Sequence, residues 1–341
     1  MALYKIFIGT YSKGPGNGLL YGAFDADTGE IRISDALDIE NPSYMQISPQ
    51  NQNVLYGVSE TEGGALFSAD ISDPAKMRLI DIKCTYGKLS CHLAAKDDFV
   101  FTANYLDGSL SILETDRAGN IKPVYRAIKH FGKGPNTARQ EASHVHFASM
   151  TPEGKYLAVC DLGLDKVFLY AYNPDTGLST TAKITDCPPG SGPRHLVFSS
   201  DGKYMYVVTE LASGVLVYGY NNGETRFLQE ISCLPPDNTH ISTAAAIHIS
   251  PDGKSLAASN RGADCLTIFD IGEKGELALS GYIKNQKEPR DFNFSPDGKW
   301  LISAHQNGDK VEIFKEDSGK FTKTGEINAP SPVCVLFGGQ I

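Results

Sequence analysis

No apolar stretch in this chain approaches the ~20 residues that a membrane-spanning helix needs; the longest are strand-sized. Sustained helical periodicity is missing too, which points to an all-β chain. The start, MALYKIFIGTY, has no basic region followed by a long apolar core, so no secretory signal is expected. The seven cysteines are odd in number, scattered and free of CxxC spacing. They read as small buried hydrophobes in a reducing cytoplasm. Positive charge is also short, with 31 Lys+Arg against 40 Asp+Glu and a net charge of −9. That argues against a nucleic-acid groove or an anionic membrane surface as partner. No Pro/Ser-rich linker and no shift in composition divides the 341 residues, so one domain over residues 1–341 is expected.

What the chain does have is a segment that returns about every 50 residues. GPRHLVFSSDGKYMYVVTEL (192–211), AAIHISPDGKSLAASNRG (245–262) and EPRDFNFSPDGKWLISAHQNG (288–308) are plain copies. SHVHFASMTPEGKYLAVCDLG (143–163) keeps the register, and NPSYMQISPQNQNVLYGVSE (41–60) is looser. The turn anchors Pro152, Ser200, Pro251 and Pro296 are 48, 51 and 45 residues apart. Pro49 precedes Pro152 by 103 residues, room for the degenerate copy LSCHLAAKDDFVFTANYLDG (89–108). Each copy alternates at period two, breaks at a PDGK-type turn and alternates again, which predicts two antiparallel strands. A third alternating run such as GVLVYGYN (214–221) and a more polar fourth follow. Four strands per unit of this length is the pattern of a propeller blade.

The ends set the number of blades. YKIFIGTY (4–11), GLLYGAFDA (18–26) and IRISDALDI (31–39) match second, third and fourth strands, while PSPVCVLF (330–337) matches a lone first strand. The last strand is therefore expected to complete the N-terminal blade. That makes a closed seven-bladed β-propeller, with 341 residues shared at about 49 per blade. Closure removes the unpaired edges of an open stack.

In such a ring the first strands line the channel, and their starts lie at the same end as the ends of the second strands. Six residues before the anchor stand Ser43, His146, Arg194, Ala245 and Arg290. Ten residues after it stand Leu162, Glu210, Arg261 and Gln306, with Ser59 or Glu60 in the first copy. Neighbouring positions add His195, Asp161, Asn260, Asp291 and His305. One rim should thus carry three arginines, a glutamate and several histidines. Clustered guanidiniums bind phosphate or carboxylate through planar forks and stabilise an oxyanion. Glu210 or His146 can activate water. His144 and His146 of SHVH are expected on one strand face, but no third ligand accompanies them, so no metal is expected. A G-x-S-x-G elbow is absent.

GTYS (9–12), SHVH (143–146), DLGLDKV (161–167), GPRH (192–195) and SNRG (259–262) together resemble the lactonase family of seven-bladed propellers. That family holds the cycloisomerase-type 6-phosphogluconolactonases and the carboxymuconate lactonizing enzymes. The resemblance covers essentially the whole chain. It implies His146, Arg194, Glu210 and Arg261 as catalytic residues; the rim positions around them, His144, His195, Arg290, His305 and Gln306, are expected to bind substrate. It also implies hydrolysis of 6-phosphoglucono-1,5-lactone, a pentose phosphate step, without a cofactor. The chain departs from the family pattern at Ala246, where a glutamate is usual, and at His305, where an asparagine is usual. The expected partner is a small anionic lactone, and the expected state a monomer or weak homodimer. Two rival readings are a lactone-forming muconate cycloisomerase and a non-catalytic scaffold. The absence of the GH…WD signature weighs against the scaffold. A lone tryptophan, Trp300, weighs against a quinoprotein dehydrogenase.

Overall fold

A computed structural model describes residues 2–11, 18–73, 75–284 and 287–341. Its strands form seven four-stranded antiparallel sheets, one blade each. Blade one is built from both ends of the chain: Pro332–Gln340 pairs with Leu3–Thr10, followed by Leu19–Asp25 and Ile31–Leu37. Blades two to seven run in order over residues 42–84, 90–129, 145–186, 193–232, 243–284 and 289–328. The expected ring closure is therefore present. Ser12 of the GTYS motif lies outside the described residues.

The recurrent PDGK motif has a local cause. In the copies at 251–254 and 296–299 the aspartate side chain accepts the backbone N–H of the lysine two residues on, at 3.1 and 3.2 Å. The glycine between them is left-handed, φ 74° at both Gly253 and Gly298, where a side chain would be strained. The loose copy uses Asn51 in the same way, accepting from the Asn53 N–H at 3.0 Å. A different residue thus meets the same geometric need.

Among the described residues there is no single central core. Seven apolar clusters each draw on two neighbouring blades. Second strands such as Val54–Ser59 are buried throughout, whereas fourth strands such as Lys76–Cys84 are mostly exposed or half-buried. Burial thus decreases outward along each blade. Six of the cysteines are buried, as small hydrophobes would be, and Cys84 is exposed. Trp300 joins the last blade to the first, donating its indole N–H to the Ala26 carbonyl at 2.8 Å.

Because Trp300 and Val335 share one cluster, the closing strand can be tested by its fluorescence. Deleting residues 330–341 exposes Ile6 and Ile8 and removes Val333 and Val335, each buried side chain being worth about 1.5–3 kcal/mol. The truncated chain should lose its cooperative unfolding transition. Unfolding at the same urea concentration as the full chain would contradict the closure.

Candidate active site

In all seven blades the pairing of first and second strands slips at the same point, at or beside the slot six residues before the turn anchor. The extra residue of such a bulge bends the strand and re-aims a side chain. Cys91, His146, Arg194 and Arg290 occupy bulged slots in blades three, four, five and seven. The bulge also frees carbonyls from the ladder. Arg194 uses one, donating from Nη1 to the Ala245 carbonyl of the next blade at 2.8 Å.

Glu210, at the end of a second strand, sits at the centre of the rim. Its Oε2 accepts from Arg194 Nε at 3.0 Å and lies 3.0 Å from Arg261 Nη2. Its Oε1 pairs with Arg139 Nη2. One carboxylate, 3% exposed, thus serves three guanidiniums. Burial pushes the Glu210 carboxyl up, but the charged Arg261, Arg194 and Arg139 outweigh it and hold it well below the usual range. Burial, then repulsion by Arg261 and Arg290, pulls Arg194 down to about 10, so it stays charged at neutral pH.

His146 faces this cluster. Its Nδ1 is 3.9 Å from the Cys91 thiol, and its Nε2 has no hydrogen-bond partner among the described residues. Burial, and next Arg194, hold its pKa well below 6.5, so the ring is neutral. Tyr105 supplies a wall: His144 stacks on it at 4.5 Å and 15°, while His146 meets the same ring at 77°. The bulge breaks the strand alternation expected of SHVH. His144 instead turns its nitrogens to the Tyr105 carbonyl, at 3.0 Å, and to Glu141. Across the rim, Arg290 lies 5.1 Å above the Tyr11 ring and donates to Gln306 at 3.4 Å. The Tyr11 hydroxyl donates to Glu60 at 2.9 Å.

Of two further expected substrate-binding residues, His195 lies just beneath the rim, its ring 5.3 Å from that of His146, and His305 lies away from it. His195 follows the bulge, so alternation turns it into the middle of the channel. There it packs among Tyr44, His92 and Phe147, with His195 and Tyr44, from non-adjacent blades, 6.2 Å apart. Its Nε2 accepts from Arg194 at 3.1 Å. These rings form a floor under the rim and separate it from a cavity of about 440 Å³ at the far mouth. His305 is fully buried within blade seven, its Nε2 3.2 Å from Glu312, because the residue before rim-facing Gln306 must face the other way. Ala246 is packed between blades six and seven. Both departures from the family pattern therefore lie away from the rim. The neighbouring Asn260 and Asp291 also serve the scaffold, Asn260 donating to the Cys233 carbonyl and Asp291 accepting the Val335 N–H.

Repeat spacing missed Arg139, Tyr105 and Tyr11. Arg139 comes from residues 130–144, the longest connection between blades, and no repeat slot predicts it. That extra length was the available signal.

The site thus combines an anion-attracting cluster of guanidiniums with a neutral imidazole above a layer of packed aromatic rings. The chain matches the family described as Lactonase, 7-bladed beta-propeller, over residues 5–337, and belongs to it. It is 33% identical to a 6-phosphogluconolactonase of Bacillus subtilis over 100% of both chains. A 6-phosphogluconolactonase of Formosa agariphila is 34% identical, over 93% of this chain and 94% of that one. Among solved structures, the periplasmic gluconolactonase of Pseudomonas aeruginosa superposes with a TM-score of 0.93 at 31% identity, covering 99% of each chain.

Two stability predictions follow from these electrostatics. Glu210→Ala leaves three guanidiniums without their shared counter-charge and should cost about 3–5 kcal/mol in urea unfolding; a loss under 1 kcal/mol would refute the central role of this carboxylate. The second concerns pH. Burial holds His92, His146 and His195 well below 6.5, so the folded state binds fewer protons than the unfolded chain. Their contribution is present above about pH 6.5 and is lost as pH falls, at up to about 1.4 kcal/mol per histidine per unit. Stability measured between pH 7 and 5 should drop steeply, and His92→Phe should remove about a third of the slope. A flat profile over that window would contradict it.

Proposed function

We propose that this chain hydrolyses a phosphorylated sugar δ-lactone, 6-phosphoglucono-1,5-lactone, to 6-phosphogluconate. The observation that carries this is the imbalance at Glu210, where one carboxylate meets three guanidiniums beside a neutral imidazole. Such a rim attracts an anionic substrate and stabilises a developing oxyanion. The family and the names of its relatives support the same chemistry.

Of the two candidate bases, His146 is favoured on physical grounds. Glu210 is held far below neutral pH and both its oxygens are engaged, so it has little basicity left. His146 is neutral and its Nε2 has no hydrogen-bond partner among the described residues. It takes a proton from water as the water oxygen bonds to the lactone carbonyl carbon. The resulting oxyanion is held by Arg194 and Arg261. Collapse breaks the bond to the ring oxygen, which leaves as a hydroxyl after receiving the proton from His146. The product is the open-chain acid. Glu210 keeps the guanidiniums aimed.

The test is lactone hydrolysis followed by proton release and corrected for the spontaneous rate. His146→Gln should lower kcat by about 10²–10⁴-fold. Arg194→Ala or Arg261→Ala should lower kcat/KM by about ten- to a hundredfold, and Lys should restore only part. Since His146 must be unprotonated and burial lowers its pKa, activity should hold through pH 6.5 and fall only at more acidic pH. No wild-type hydrolysis above the spontaneous rate would overturn the proposal.

A further inference from the structure

The rim contains a fourth guanidinium outside every repeat slot. Arg139 stands on the long connection between blades three and four, residues 130–144. That segment is held firmly. Gln140, fully buried beside it, donates from Nε2 to the Leu162 carbonyl at 2.8 Å and to Asp165 Oδ1 at 2.7 Å. Its Oε1 accepts the Asn136 N–H at 3.1 Å, and its carbonyl accepts the Gly134 N–H at 2.9 Å. The connection is thereby anchored to blade four, and Arg139 reaches across to Glu210 in blade five and to the Tyr105 hydroxyl in blade three, 3.5 Å away.

Arg139 differs from the other arginines of the cluster in depth. Its side chain is 39% exposed, against 14% for Arg261 and 3% for Arg194. Among the described residues its hydrogen bonds all leave from Nη2. Its Nε and Nη1 donors make no hydrogen bond to the described residues and are available at the mouth. A sugar δ-lactone phosphorylated on its terminal carbon carries the phosphate at the opposite end from the carbonyl. If the carbonyl lies deep, beside His146 and Arg194, the phosphate points outward. The outermost preorganised guanidinium is then the group placed to receive it.

We infer that Arg139 is the specificity-determining residue of this site and reads the phosphate of the substrate, so that it sets the preference for phosphorylated over unphosphorylated lactones. This rests on the lactone-hydrolase function proposed above and deepens it. A planar fork already oriented by the anchored connection gives up little freedom on binding a phosphate. Arg194 and Arg261 both remain on Glu210 when Arg139 is removed, so the carbonyl end of the site keeps its alignment.

The experiment compares wild type, Arg139→Ala and Arg139→Lys on 6-phosphoglucono-1,5-lactone and glucono-1,5-lactone, each corrected for spontaneous hydrolysis. Folding is checked by Trp300 fluorescence. Arg139→Ala should lower kcat/KM for the phosphorylated lactone by about ten- to a hundredfold, mainly through KM. Its loss on the unphosphorylated lactone should be much smaller, and Lys should recover part of the phosphorylated activity. Inorganic phosphate should also inhibit the wild type more strongly than Arg139→Ala. Equal losses on both lactones would overturn the inference, since Arg139 would then serve only to position Glu210. An unchanged ratio with no loss on either, or a wild type without preference for the phosphorylated lactone, would overturn it as well. Wild type inactive on both would instead strike the hydrolase proposal itself.

Discussion

Closure of the ring is the constraint on which everything else depends. Pro332–Gln340 pairs with Leu3–Thr10, so the two ends of the chain complete one blade. Each apolar cluster needs a blade on both sides. An open array would leave two blade faces and their strand edges bare. Closure also gives the seven first strands a common axis, and their bulges then point equivalent residues at one another. A repeat that is only a folding device along the chain becomes a ring of functional positions.

Within that ring the electrostatics are deliberately unbalanced. Glu210 is buried and ionised because three guanidiniums surround it, and one carboxylate shared among three guanidiniums leaves the cluster net positive. The same surplus, together with burial, keeps His146 and His195 neutral. Their roles differ because of depth. His146 opens to the rim, whereas His195 lies in the floor, accepts from Arg194 and helps separate the rim from the far mouth. Acidic overall charge and a basic site are compatible because short-range pairing decides the local field.

Much of this was legible before any coordinates. Period-two alternation, the turn motif and the unmatched strands at the two ends determined an all-β, seven-bladed closed ring, because strand periodicity and turn chemistry are local properties. Equivalent slots placed His146, Arg194, Glu210, Arg261, Arg290 and Gln306 at one end, because each blade repeats the same geometry. Only the tertiary structure decided the rest. A bulge is invisible in a period-two pattern, and it is the bulge that sends Arg194 to the rim and His195 to the floor. His305 stands next to the slot residue Gln306 and was expected to share its role, yet side-chain alternation buries it beside Glu312. Tyr105 follows its second strand as Glu210 does, but in a copy too degenerate to align by its turn; Arg139 joins from outside the matched slots, and nothing in a linear repeat encodes contacts made across the axis of a closed ring.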